Sequence, residues 1–187
     1  MRNKNVTKIA LSGILIAVGI IIPMFSPIRV MIEPASFTLG SHIVIFIAMF
    51  ISPTVAISVA LGTTLGFFLG GFPLVIVARA ASHVIFAGLG SYYLHNVAKE
   101  KLSVVKLRVF SFWVAIIHAT GELVVVSLFY FDNNVTPIHF EQGFLFSVLL
   151  LVGLGSVIHS LVDFELARIV ILPLKSQKNI ASWFSKH

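Results

Sequence analysis

The 187-residue chain has no cysteine, and only 11% of its residues are Asp, Glu, Lys or Arg. The missing cysteine removes disulfides, thiolate metal sites and cysteine nucleophiles, and says nothing of compartment. The shortage of charge excludes more. A soluble domain needs a polar skin, and a chain that is 58% hydrophobic with a mean hydropathy of +1.03 cannot supply one. No G-x-x-x-x-G-K-[ST] phosphate loop occurs, which excludes P-loop ATP hydrolysis by this chain. The G-x-S-G nucleophile turn of intramembrane serine proteases is also missing, because Gly153-Leu154-Gly155-Ser156 has the wrong order. Nothing resembles the selectivity filter or charged ring of a channel.

What the chain has is apolar length. Six stretches, about 9–25, 37–52, 54–72, 73–95, 109–131 and 144–173, approach the roughly 20 residues of a membrane-spanning helix. They are continuous rather than alternating apolar and polar, which rules out a β-barrel. The sequence therefore predicts an all-α integral membrane protein, a single compact bundle of six transmembrane helices over residues 1–187. Met1 to Lys8 has the composition of a signal-peptide n-region, but no small-residue cleavage site precedes Pro23, so the first helix is expected to be retained. Stretches two and three are separated by Ser52-Pro53, and three and four by Gly70-Gly71-Phe72-Pro73, which suit tight helical hairpins.

Basic residues set the orientation. Arg2, Lys4, Lys8, Lys99, Lys101, Lys106, Arg108, Lys175, Lys178 and Lys186 fall on one side, and the opposite loops carry only Arg29. Ten against one puts both termini in the cytoplasm, with the protein multi-pass in the cell membrane. The formal net charge of +6 is thereby explained without nucleic acid.

Small residues form two faces. Gly62, Gly66 and Gly70 repeat every fourth residue on the third helix, a surface for close backbone approach that suits packing within the chain. Ala10, Gly13 and Ala17 make a shorter version on a first helix otherwise rich in Ile, Leu and Val. That face suits a partner protein or internal packing alike.

Ionisable residues inside apolar spans are costly and mark a functional site or an internal pair. Arg79 and His83, His118 and Glu122, and His159 and Asp163 are each spaced i, i+4 and so share a helix face. At 1.5 Å per residue, Arg79 lies roughly 9 Å and Glu122 roughly 13 Å below the outer ends of two antiparallel helices. The two can meet, with His83 and His118 a turn deeper and His159 within reach. An Arg79–Glu122 staple is one interpretation. The other is a small-ligand pocket whose arginine takes a carboxylate or phosphate. H-x-x-x-E and H-x-x-x-D are conceivable metal sets, but a nearby arginine repels a cation, so neither a metal nor a cofactor is expected. The outer loops Ser26–His42 and Asp132–Gly143 are natural lids, with Asn133 expected at the pocket.

Four strings carry a family likeness: Ala10–Ala17 (ALSGILIA), Ile32–Leu39 (IEPASFTL), Ala48–Pro53 (AMFISP) and Gly66–Pro73 (GFFLGGFP). Over its whole length the chain resembles the substrate-binding S-components of energy-coupling factor vitamin transporters, most of all their niacin-specific branch. The resemblance implies a non-enzymatic transport subunit that works with a transmembrane coupling subunit and two ATP-binding cassette ATPases. It also implies a gating first outer loop (Glu33, Phe37, His42), a vitamin site near the outer face, and docking of Ala10, Gly13 and Ala17 on the coupling subunit. The docking motif departs from A-x-x-x-A, since position 14 is isoleucine. Nicotinate fits Arg79 through its carboxylate, with His83, His118, His159 or Glu122 near the ring nitrogen. Pantothenate is the alternative vitamin, and a stand-alone carrier, a channel or an intramembrane enzyme are the alternatives of other classes.

Overall fold

A computed structural model describes residues 4–32, 34–98, 100–132 and 142–184. Among these the chain is helical apart from one two-stranded hairpin. The elements are α1 (Lys4–Phe25), β1 (Arg29–Ile32), β2 (Ala35–Thr38), α2 (Ile43–Ile51), α3 (Pro53–Leu69), α4 (Leu74–Tyr92), α5 (Val104–Phe131), α6 (Gly155–Ser176) and α7 (Lys178–Ala181). Wider π-helical turns extend α4 over Tyr93–Val97 and lead into α6 over Leu145–Leu154. Four helical stretches, Asn5–Phe25, Leu74–Val97, Val104–Phe131 and Leu145–Ser176, are long and apolar enough to cross a membrane. Large apolar side chains such as Leu69, Leu128 and Phe131 point outward, as lipid-facing residues do. The protein is a multi-pass membrane protein.

The second apolar stretch divides differently from the single run of 37–52 that hydropathy outlines. Phe37 and Thr38 belong to β2, and only Ile43–Ile51 is helical. Nine residues rise about 14 Å, half of a hydrocarbon core of about 30 Å. The sequence IVIFIAMFI is apolar on every face, and such a helix is stable only when surrounded; Val44 to Ile51 are all buried. Its ends are tied to other elements. Ser91 Oγ donates to the Met49 carbonyl at 2.8 Å, and the amides of Gly40 and His42, in the turn that leads into α2, go to a carboxylate on α6, described below. The Ser52 hydroxyl then accepts from the Val55 amide, and Pro53 opens α3, as a proline at a first helical turn can.

The glycine run of α3 packs inside the chain. A Cβ at Gly62 would run into Ile16, and one at Gly66 into Ile20, both on α1. This close approach turns the Ile16–Ile20 side of α1 inward and leaves Ala10, Gly13 and Ala17 exposed. Among the described residues nothing lies within 4 Å of a Cβ placed on Gly13.

Candidate functional site

The first outer loop folds into an antiparallel hairpin, with Arg29 opposite Thr38 and Ile32 opposite Ala35. Ala35 is buried with Val126, Val148 and Val152, and the Phe37 ring rests so closely on Gly155 that a Cβ there would collide with it. The hairpin is thus seated on α5 and on the start of α6. Beneath it is a narrow, part-open cleft of about 60 Å³, lined by Thr38, Ser41, His42, Arg79, His83, Glu122 and His159 among others.

Two buried carboxylates organise the cleft. Glu122, on α5, accepts from Arg79 Nη2 at 2.9 Å through Oε2. The same oxygen accepts a very short bond from the Ser156 hydroxyl of α6. Its other oxygen, Oε1, faces histidines: His83 Nε2 at 3.3 Å and His118 Nε2 at 3.5 Å. Arg79 Nη1 donates to the Pro34 carbonyl of the hairpin at 3.3 Å, while Arg79 Nε is buried with no hydrogen-bond partner among the described residues. The guanidinium also lies 5.9 Å from the centre of the Phe37 ring.

Asp163, on α6, faces the start of α2. Its Oδ1 accepts the Gly40 amide at 2.7 Å and its Oδ2 the His42 amide at 2.9 Å. Gly40 has φ of +84°, a conformation glycine adopts without a Cβ penalty, and this turns the chain so that both amides reach one carboxylate. A negative charge here satisfies orphan N–H groups and complements the helix dipole. His42 Nδ1 lies 3.2 Å and His159 Nε2 3.4 Å from Oδ2, and Ser41 Oγ is 3.1 Å from His159 Nε2. His42 joins the two centres: its ring is 4.6 Å from that of His83, 4.6 Å from His118 and 4.8 Å from His159, edge-on in each case.

The structure therefore brings together Arg79, His83, His118, Glu122 and His159, the residues that helical spacing points to. His42 lies at the centre of this group rather than at the rim of a gate, and Phe37 covers Arg79 and His159. Glu33 and Asn133, with the rest of 133–141, lie outside the described residues. Ser156, Ser41 and the Pro34 carbonyl are contacts that sequence reasoning missed. Ser156 had a signal: Ser156, His159, Ser160 and Asp163 recur at spacings of three and four, one polar stripe on an apolar helix. The carbonyl had none.

Apolar helices closed around a buried arginine, two carboxylates and four histidines define a membrane protein with a polar cluster in its interior. The chain is 39% identical over 166 residues to the niacin transporter NiaX of Lactococcus lactis subsp. cremoris (strain MG1363), an alignment that covers 89% of this chain and 73% of the relative. The chain belongs to that family, the niacin branch of the energy-coupling factor S-components. No protein-family profile and no solved structure matches it.

Proposed function

We propose that the chain is the substrate-binding membrane subunit of an energy-coupling factor importer, and that its substrate is nicotinate. The observation that carries this reading is Arg79. It is held from two sides, by Glu122 and by the hairpin, yet among the described residues its buried Nε donor has no partner. The Glu122 staple leaves that donor unmet, whereas a carboxylate approaching Nε completes a charge-assisted pair. His83, Glu122 and His159 line the space for the ring, His118 stands behind them against Glu122, and Phe37 supplies an apolar face; Asn133 is the contact expected from the second outer loop. The first outer loop, Glu33 and Phe37 included, is the gate, and His42 stands beneath its hairpin.

Replacing Arg79 by Ala tests this. Loss of one partner of a buried charged pair costs about 3–5 kcal/mol, which corresponds to roughly a hundred- to several-thousand-fold in affinity. The double variant Arg79→Ala/Glu122→Ala separates anchor from staple: folding recovers, but nicotinate binding stays lost. Nicotinamide, which lacks the charge, should respond far less than the acid. Equal losses for acid and amide would leave Arg79 a staple.

The partners are a transmembrane coupling subunit and two ATP-binding cassette ATPases, which supply the energy that a chain without a phosphate loop cannot. The exposed face of Ala10, Gly13 and Ala17 on α1 is where the coupling subunit docks. Gly13→Leu should block assembly with it and leave nicotinate binding nearly intact, since the residue is outside the cleft; the reverse pattern sinks the assignment. Six crossings with both termini cytoplasmic fit the ten-to-one basic bias, which terminal reporters read directly.

A further inference from the structure

We propose that His42, His83, His118 and Glu122 Oε1 form a binding site for a divalent transition-metal ion of the zinc class. One ligand atom from each of these four residues lies within 4.8 Å of all the others, and all four residues are buried. Ligands at about 2.0–2.1 Å around a tetrahedral ion are roughly 3.3–3.4 Å apart. His83 Nε2 and His118 Nε2 already stand at 3.3 and 3.5 Å from Oε1, so closing the set requires side-chain shifts of the order of 1 Å around ligands already in place. Imidazole nitrogens select zinc, cobalt, nickel or copper over magnesium and calcium.

His118 is the independent sign. The residue is 2% exposed, and neither Nδ1 nor Nε2 has a hydrogen-bond partner among the described residues. Nε2 stands 3.5 Å from Oε1, close to the spacing of two ligands that share a metal ion. An unsatisfied buried imidazole is expensive, and a metal ion satisfies it.

The surroundings fit as well. Metal-bound histidines and carboxylates are held by outer partners that fix their orientation. Here Arg79 and Ser156 both engage Glu122 Oε2 and leave Oε1 to the histidines. Asp163 engages His42 Nδ1 and leaves Nε2 for an ion. Arginine is the objection that the sequence raises against a metal, and it lies on the far oxygen of the carboxylate. The alternative group His42, His159 and Asp163 is weaker, because both Asp163 oxygens already accept backbone amides.

One consequence rests on the nicotinate reading. Two carboxylates against one arginine leave the buried cluster with an excess negative charge, histidines counted neutral, and a second anion is unwelcome there. A divalent cation reverses that sign and makes the cleft receptive to a carboxylate.

The test uses the full chain in detergent or nanodiscs, stripped with chelator and titrated with Co²⁺ in the absence of any vitamin. The expected result is saturable binding with the visible absorption of a four-coordinate nitrogen–oxygen site, displaced by Zn²⁺. His118→Ala and His83→Ala should abolish it, His159→Ala should retain it, and Ser156→Ala should weaken it by about 10–100-fold. Absence of saturable Co²⁺ binding by the unmodified chain overturns the proposal whatever the variants do, and loss in His159→Ala equal to that in His118→Ala overturns the choice of ligands. Nicotinate affinity is then measured with and without Zn²⁺, where a coupling of about 5–150-fold is expected. Unchanged affinity overturns the charge-reversing role, whereas Co²⁺ binding in a chain that never binds nicotinate leaves the metal site standing and removes the nicotinate reading.

Discussion

Glu122 and Asp163 are chemically similar and structurally opposite. Each is a buried carboxylate with a histidine four residues earlier on its own helix. Among the described residues Glu122 is served by side chains alone, from α4, α5 and α6. Asp163 is served chiefly by backbone amides, those of the turn that leads into α2. Side-chain partners can exchange for a ligand without altering the fold, whereas backbone partners at a helix start cannot. The Glu122 centre is therefore suited to binding, and the Asp163 centre holds the short buried helix and the end of the hairpin in place. His42 belongs to both, with its amide and Nδ1 toward Asp163 and its ring edge toward His83 and His118.

The most damaging way to break this contrast is Glu122→Ala. It leaves Arg79 buried and uncompensated, a loss of about 3–5 kcal/mol and a large share of the about 5–15 kcal/mol that holds a typical domain. Thermal melts in detergent should fall sharply, and Arg79→Met/Glu122→Met, which removes both charges, should restore most of the loss. An unaltered melt for Glu122→Ala would mean that the pair is solvated and the cleft more open than its geometry implies.

Asp163→Asn is the milder counterpart. The side-chain amide keeps one acceptor but turns a donor toward an N–H that needs an acceptor, and loss of a hydrogen bond to a charged group costs about 1.5–3 kcal/mol. Hydrogen exchange should speed up at the amides of Gly40 and His42 before it does in α2. If those two amides keep their protection, Asp163 does not hold the start of the helix.

The Glu122 centre was legible in the sequence because it is built on helix periodicity. Spacing of four put each histidine beside its partner, and rise per residue put Arg79 and Glu122 at depths where they could meet; they do, at 2.9 Å. The Asp163 centre was not, because it joins a turn to a helix 121 to 123 residues away, and no local pattern records that. Hydropathy could not distinguish a short buried helix from a span, since Ile43–Ile51 is apolar all round, nor see that the two residues at 37 and 38 pair with β1. The π-helical stretch Leu145–Leu154 left no trace either, for LFSVLLLVGL contains no proline to mark a change of pitch.

His159 sharpens the contrast most finely, because it stands between the centres. Its Nε2 contacts Ser41 Oγ and Asp163 Oδ2, and its ring packs 5.4 Å from that of Phe37 and 4.8 Å from that of His42. His159→Phe keeps an aromatic ring in this stack and deletes only the polar bonds, each worth about 0.5–1.5 kcal/mol net. If His159 belongs with Asp163, the variant loosens the hairpin, raises the nicotinate off-rate, and lowers affinity by less than about tenfold, on the order of 1 kcal/mol. If it is a ligand contact of the Glu122 kind, as its helical spacing allows, affinity falls toward the loss expected for Arg79→Ala. Paired dissociation-rate and equilibrium measurements on the two variants decide it: an effect confined to the off-rate keeps the centres distinct, and a loss matching that of Arg79→Ala merges them into one site.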